Sequence, residues 1–405
     1  MKRQNNLYEK IVDTRKILDI YNRQIKKSTK NKEKIERFEQ YLMINIAKIE
    51  TMLKNKNVSF NKYKIFLIRD PKYRVIMSQS VGDKIINHLV AKYFLLDIFE
   101  KILIDENVAT RKGKGTTYGI NLIKKYINDL KKQKKPIYYL KCDVSKYFYN
   151  IDHNTLKKII SKKIKDKSAI ELINKIIDTF SSKYVNKEVN DVCNKEIEYV
   201  NSLNIMAIEK QQKIKDLEKI KATIKDKKGI PIGDMTSQAF AIIYLNELDH
   251  YIKENLKIKY YVRYMDDLII LNNNKEKLKE DLNKVKEKIE DEYLLELNNK
   301  TQIGMLKNGL DCLGFRFILS KDKIYLKVRT KTKKRFKKKV RKLSNLIIKG
   351  KISEKSYYQL LASYKGHLIN GNTYKLYSSV ANKGNDKVNL GENVYIDKFG
   401  EIIKG

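Results

Sequence analysis

Asp266 and Asp267 stand side by side between two short apolar runs, Tyr260 to Tyr264 and Leu268 to Leu271. Strand-like runs separated only by Met265-Asp266-Asp267 predict a hairpin whose tip projects two carboxylates. A third aspartate, Asp143, closes another apolar run that starts at Ile137, just after Pro136. A strand end of that kind hands its side chain from a buried sheet to a cleft. Alone, an Asp-Asp pair reads as a solvated turn; strands on both sides and a third strand-ending Asp weaken that reading. The intervening sequence is long enough for a helical crossover, so the strands can meet in one antiparallel sheet with the acids at one edge. Clustered carboxylates repel unless a cation neutralises them, and the hard ion Mg²⁺ prefers oxygen ligands. Two such ions, about 4 Å apart, activate an attacking hydroxyl and stabilise the leaving oxygen of an in-line phosphoryl transfer.

Composition names the class of partner. The 405 residues include 87 Lys plus Arg against 48 Asp plus Glu, a formal net charge of +39. AT-rich codon usage accounts for part of the lysine, but the excess goes beyond what solubility needs and is naturally balanced by a polyanion. Charge alone leaves a polybasic membrane binder open. The hydrophobic fraction of 42%, with only 3 Pro and 16 Gly, excludes wholesale disorder and long flexible linkers. Cys142, Cys193 and Cys312 are too few and too scattered for a disulfide framework or a structural zinc site. His88, His153, His250 and His367 show no ligand clustering and read as structural. No apolar segment follows the charged start, and the longest clean apolar run, Ala239 to Leu245, is far too short to span a bilayer. The expectation is a soluble protein of a reducing, intracellular compartment.

The elements that must position the acids follow from periodicity. Residues 1–58 read as two helices, and Tyr63 to Arg69 as a strand leading through the Asp70-Pro71 turn to Arg74-Val75-Ile76. Residues 82–104 read as helix. Arg111-Lys112-Gly113-Lys114-Gly115 forms a basic, Gly-punctuated loop before another helix. Ile137 to Val144 reads as strand and 153–180 as helix. Over 185–228, Ile214, Leu217, Ile220 and Ile224 recur at helical spacing, which predicts an inserted helix or helical hairpin. The Gly229–Gly233 turn precedes a buried helix, 236–253. A helix over 275–292, a strand near 293–298 and a hairpin around 311–328 follow. Between Lys331 and Leu343, nine of thirteen residues are Lys or Arg, yet Phe336, Val340, Leu343 and Ile347 keep an apolar stripe. That is a folded helix with one face for the core and one for phosphates.

Tyr264-Met265-Asp266-Asp267, flanked by apolar strands, resembles the active-site box of reverse transcriptases. Further blocks match in the family's order over roughly residues 60–320. Leu140-Lys141-Cys142-Asp143 through Phe148 resembles the first palm motif. Gly229-Ile230-Pro231-Ile232-Gly233 through Gln238 resembles the nucleotide- and template-positioning motif. Leu297-Asn298-Asn299-Lys300-Thr301 resembles the Lys-containing motif that follows, and Leu313-Gly314-Phe315 the primer grip. The resemblance implies an α+β right-hand polymerase. Its parts are an N-terminal helical extension (1–58), fingers (59–136), a ferredoxin-like antiparallel palm (137–328, with the 185–228 insertion), a helical thumb (329–380) and a tail (381–405).

Carried over residue by residue, the resemblance makes Asp143, Asp266 and Asp267 catalytic metal ligands, with Val144 a further metal position, for two Mg²⁺ ions or Mn²⁺ in their place. Lys300 protonates or neutralises the departing pyrophosphate. Arg69, Lys72 and Arg74 hold the triphosphate, Arg74 the best placed of the three; the alternative is ordinary surface cations. Phe148 lies where a bulky ring clashes with a 2′-hydroxyl, which favours DNA synthesis over RNA synthesis. Ile232, Gly233 and Gln238 position the nucleotide. Arg111, Lys112, Lys114, Lys333, Lys334, Arg335, Lys338, Arg341 and Lys342 line the nucleic-acid groove. Template RNA, an RNA/DNA primer duplex and dNTPs are the implied partners.

An aliphatic Ile232 with Gln238 most resembles reverse transcriptases of diversity-generating retroelements, which misincorporate opposite template adenines. Asp234 departs from the Asn common there, and the 185–228 insertion is unusual. That branch implies a small basic accessory protein, no membrane, and a cytoplasmic, bacterial or phage-encoded enzyme. The alternatives are an antiphage-defence reverse transcriptase with specialised templating or priming, and a non-catalytic RNA-binding protein on the same fold.

Overall fold

The computed structural model describes residues 3–69, 72–181, 183–387, 394–396 and 402–404. The Asp70-Pro71 turn lies outside these residues, as do 388–393, 397–401 and 405 of the 381–405 tail. In chain order the main elements begin with helices α1 (Thr14–Ile20), α2 (Lys32–Glu39) and α3 (Leu42–Lys54), then strands β1 (Lys64–Ile68) and β2 (Arg74–Ser78). Helices α4 (Val81–Val90) and α5 (Thr116–Lys131) precede β3 (Tyr138–Asp143). Next come α6 (His153–Ser161), α7 (Lys167–Asp178), α8 (Lys183–Ser202), α9 (Ala207–Lys221) and α10 (Met235–Tyr244). Strands β4 (Tyr261–Tyr264) and β5 (Asp267–Asn272), helix α11 (Lys275–Tyr293), and strands β6 (Gln302–Met305), β7 (Leu310–Cys312), β8 (Phe315–Ser320) and β9 (Lys323–Val328) follow. The chain ends with α12 (Thr330–Ile348), α13 (Glu354–Leu368), α14 (Tyr374–Lys387) and the pair β10 (Val394–Ile396) and β11 (Ile402–Lys404).

Two discontinuous units are built from these elements. One comprises residues 1–111, 143–258 and 283–299; the other comprises 112–142, 259–282 and 300–405. In the first, β1 and β2 form an antiparallel hairpin in which Lys64 faces Ser78 and Ile68 faces Arg74. Its inner residues, Ile65, Val75 and Met77, pack with Tyr63 against Phe180, Val185, Val189, Cys193, Val200 and Leu217. The inserted segment is therefore a helical hairpin, α8–α9, as its spacing predicts, and its apolar stripe is spent on covering this sheet.

In the second unit the strand order is β4-β5-β3-β6. Leu268 to Leu271 are all buried, so β5 is covered on both faces, which explains an apolar run without alternation. Strands β7, β8 and β9 form a separate sheet, and α12, α13 and α14 close on a core of Phe336, Val340, Tyr357, Tyr358, Leu361, Leu368, Val380 and Ala381.

Three expected elements differ. The segment near 293–298 is not a strand: only Leu297 bridges, to Val144, and the fourth sheet strand is β6 instead. The 153–180 helix is broken between α6 and α7. There Asp166 caps α7 through Ala169 N, 3.1 Å, and accepts the Leu7 and Tyr8 amides at 2.7 and 2.9 Å. The N-terminal 58 residues form several short helices rather than two, because Asn31 starts α2 by accepting the Lys34 amide.

Candidate active site

Tyr264 pairs with Asp267 across β4–β5, so only Met265 and Asp266 make the turn. So tight a connection needs positive φ, and Met265 adopts +57°. For a residue with a Cβ this is a strained conformation of the kind concentrated at functional sites. Arg263, fully buried in β4, donates from Nη1 to the Met265 carbonyl at 3.0 Å and braces the turn from below. Asp266 and Asp267 are half-buried at this tip. Lys141 of β3 places Nζ 3.4 Å from Asp267 Oδ1 and 3.0 Å from the Asp311 carbonyl. Neither Arg263 nor Lys141 was anticipated. The one available signal was a charged residue inside an otherwise apolar run.

Asp143 ends β3, the strand beside β5 in the sheet order. Its carbonyl accepts the Asn298 amide at 2.9 Å, and the Ser145 amide reaches the Glu296 carbonyl at 2.7 Å. Val144 and Leu297 form the bridge between these segments, so the first motif is tied to the one that carries Lys300. Lys300 itself is exposed in the turn that follows. The donors fit a hard divalent cation, because they are carboxylate oxygens at strand ends. Among the described residues no group of three or more His, Cys, Asp or Glu side chains is gathered as a metal site.

Among the residues expected to hold the nucleotide, Arg69 is paired within the protein. Its Nη2 lies 2.7 Å from Oε2 of the buried Glu196 on α8, and its guanidinium sits over the Tyr199 ring at 4.4 Å. The Tyr73 hydroxyl donates to the other Glu196 oxygen at 3.1 Å. Lys72 and Arg74 are exposed. Phe148, in the short Tyr147–Asn150 helix, is half-buried, meets Tyr147 edge-on at 5.9 Å, and accepts the Ile230 amide on its carbonyl at 2.7 Å. Gly229 has φ +90°, and a Cβ there would sit 2.4 Å from the Phe180 ring. The Ile232 carbonyl accepts from Met77 N at 3.4 Å, and Gly233 (φ +130°) approaches the Met77 carbonyl. Gln238 is exposed on α10.

Behind this turn lies Asp234, the residue that departs from the Asn of the resembled branch, in a buried polar group. Asp234 precedes α10 but makes no side-chain cap; its Oδ2 instead accepts the Tyr63 hydroxyl at 2.9 Å, with both residues buried. Gln79 and Thr179 reach the same hydroxyl at 3.4 and 3.2 Å, and the Tyr184 hydroxyl accepts the Tyr63 amide at 3.1 Å. Burial pushes the Asp234 carboxyl up to about 7, against the opposing pull of the Tyr63 hydrogen bond and Lys84.

The expected nucleic-acid contacts divide. The Arg111 side chain is buried, with Nε 2.8 Å from Glu100 Oε1 and Nη1 2.9 Å from the Asn107 carbonyl. It stabilises its own loop and does not present charge, which corrects its assignment to the groove. Lys112 is exposed and Lys114 lies over the Tyr118 ring at 5.0 Å. On α12, Lys333, Lys334, Arg335, Lys338, Arg341 and Lys342 are exposed while Phe336, Val340 and Ser344 are buried. Leu313 (φ +48°) and Gly314 (φ +85°) turn the chain from β7 to β8. Buried Phe315 packs on the His367 ring at 5.0 Å, so His367 is a packing residue.

A hairpin of two carboxylates in a mixed helix and sheet fold is a site suited to metal-assisted transfer. The family model for reverse transcriptase (RNA-dependent DNA polymerase) matches residues 68–317. The chain belongs to that family. Two solved telomerase structures are similar to it. The telomerase of Candida albicans in complex with a TWJ fragment of telomeric RNA is 15% identical, with TM-score 0.41, over 83% of this chain and 61% of that one. The apo telomerase of Candida tropicalis, truncated from its C-terminal domain, is 16% identical, with TM-score 0.44, over 71% and 60%. The chain thus spans about three fifths of the length of those telomerase chains. No curated protein matches it. No helix among the described residues is long and apolar enough to cross a membrane.

Proposed function

We propose that the chain is an RNA-directed DNA polymerase that copies a template RNA into cDNA, with residues 59–136 as fingers, 137–328 as palm and 329–380 as thumb. The observation that carries this reading is the Asp266–Asp267 tip, braced by buried Arg263, on a sheet whose neighbouring strand ends in Asp143, all within the family-matched span. Asp143, Asp266 and Asp267, with the Val144 carbonyl, are the residues to hold two Mg²⁺ ions. Those ions would activate the primer 3′-hydroxyl and stabilise the leaving pyrophosphate. Arg74 binds the triphosphate, and Lys300 donates to or neutralises the departing pyrophosphate. Phe148 excludes a ribose 2′-hydroxyl. The Leu313–Phe315 turn and the basic face of α12 hold the primer strand.

The finer reading is an error-prone enzyme of a diversity-generating retroelement, with a small basic accessory protein as partner. Ile232 supports it, since a half-buried aliphatic side chain offers the nucleotide no hydrogen bond and loosens the geometric test of pairing. Primer extension on an RNA template with Mg²⁺ and dNTPs tests the activity. Asp266→Asn should cost several kcal/mol of transition-state stabilisation, about 10²–10⁴ in rate. Product from the variant equal to that of the parent would overturn the site, and no product from either would favour a non-catalytic RNA-binding protein. Sequencing the cDNA tests fidelity: errors should concentrate opposite adenine and fall in Ile232→Gln, whereas uniformly low errors at all four bases would refute the retroelement reading.

A further inference from the structure

Lys141 is the one cation in β3, on the strand that ends in Asp143. Alternation along that strand puts Tyr139, Lys141 and Asp143 on one face. Two of these side chains reach the segment that enters the Leu313–Gly314 turn. The Tyr139 hydroxyl donates to the Gly309 carbonyl at 3.2 Å, and Lys141 Nζ donates to the Asp311 carbonyl at 3.0 Å. Strand β7 is only three residues long and its sheet partner is β8, so these side chains hold it from outside that pairing. Asp311 turns its own carboxylate to Arg316, whose Nη1 is 3.2 Å away. Among the described residues, the carboxylate paired with Lys141 is therefore Asp267, with Oδ1 3.4 Å from Nζ. Arg329 is a further cation near this strand, felt by the buried Cys312 thiol together with Lys141, Asp267 and Asp311.

One ammonium thus joins the Asp266–Asp267 tip to the strand leading into the Leu313–Phe315 turn, and all of these residues belong to the same compact unit. The Lys141 side chain is only 14% exposed. A cation so placed loses much of its hydration, and an apolar side chain of similar volume would hold β3 at less cost. Stability is accordingly a weak reason for a lysine here. What the ammonium adds is geometry: a compact head with three donors fixes two segments that are far apart in sequence. We infer that Lys141 is a positioning residue that keeps Asp267 and the strand entering the Leu313–Phe315 turn in register, so that the primer end meets the carboxylates in an attacking geometry. This role rests on the polymerase reading.

Single-turnover primer extension by Lys141→Met, Lys141→Gln and Lys141→Arg tests it, with thermal melting as the check on folding. Lys141→Met keeps the length of the side chain without its charge. It should lower the maximal rate by about 10- to 100-fold and leave the dNTP concentration at half-maximal rate within about twofold. Lys141→Gln should fall in the same range and decides if the Met variant fails to fold. Lys141→Arg keeps the charge and should stay within about fivefold of the parent, a recovery that packing alone would not produce. Asp267→Asn should cost less in the Lys141→Met background than in the parent, because the contact is already broken. Mn²⁺ titration followed by electron paramagnetic resonance reads the same contact without turnover. Loss of the ammonium beside Asp267 should tighten Mn²⁺ binding by about 3- to 30-fold in Lys141→Met and not in Lys141→Arg. No extension by the parent would overturn the polymerase reading and this role with it. An active parent matched in rate by a folded Lys141→Met would overturn the role alone. So would losses from Lys141→Met and Asp267→Asn that simply multiply, or Mn²⁺ affinity equal in the Met and Arg variants.

Discussion

Asp234 shows how one side chain can couple the Gly229–Gly233 turn to pH. An Asp before a helix ordinarily caps it, yet this carboxyl turns inward to the Tyr63 hydroxyl and gives up solvent. Burial raises it to about 7, whereas an unfolded Asp titrates near 3.9. Between those values the folded chain holds a proton that the unfolded chain has lost, so this group's contribution to stability declines as pH rises. The penalty is absent below about pH 4 and complete above about pH 7. Asp234→Asn keeps an acceptor for Tyr63 and removes the ionisation, so it should be neutral near pH 4 and stabilising by about 4 kcal/mol at pH 8. Urea unfolding at the two pH values checks this. An equal change at both would mean that the carboxyl is ionised throughout.

The inserted α8–α9 hairpin acts on the β1–β2 hairpin at the scale of elements. Its apolar stripe covers the inner face, while buried Glu196 fastens Arg69 and the Tyr73 hydroxyl near the hairpin's tip. Burial, followed by that hydrogen bond, pushes the Tyr73 phenol up to about 12. In Glu196→Ala the freed partners can still reach water, Arg69 most easily. The cost should therefore be about 1–2 kcal/mol and not that of a stranded buried charge. Chemical unfolding measures it, and a loss below about 0.5 kcal/mol would show that the clasp contributes nothing beyond the apolar packing. The period of Ile214, Leu217, Ile220 and Ile224 made these helices legible in sequence, because covering a sheet requires a continuous stripe. The Asp266–Asp267 hairpin was equally legible from its flanking apolar runs. Arg263, Lys141 and the Glu196–Arg69 pair were not, since nothing in a sequence says that a cation in a strand is buried or which distant acid meets it. The 293–298 segment misled because its apolar residues, Tyr293 and Leu295, are buried without any strand pairing beyond Leu297.

For the whole molecule the open quantity is how much of the +39 charge meets nucleic acid. Many lysines pair locally with acids one helical turn away, as in Lys54–Glu50, Lys213–Glu209 and Lys288–Glu292, and such pairs are solvated surface. Arg111, buried on Glu100, is likewise out of play. Helix α12 is different: its cations are exposed and its acids absent, while Phe336 and Val340 anchor the other face. Duplex binding should therefore weaken linearly in log–log salt with a slope set by the phosphates contacted, about 0.9 each, and not by the net charge. Contact with about 6 to 10 phosphates would give a slope of about −5 to −9. Replacing Lys334, Lys338 and Arg341 together by Gln leaves the apolar stripe intact. It should flatten that slope by about 2–3 and weaken duplex binding at low salt more than at high salt. Titration of a labelled RNA/DNA duplex from 50 to 300 mM salt measures both. A parallel shift with the slope unchanged would mean that α12 keeps its charge in solvent and that the phosphates are held elsewhere.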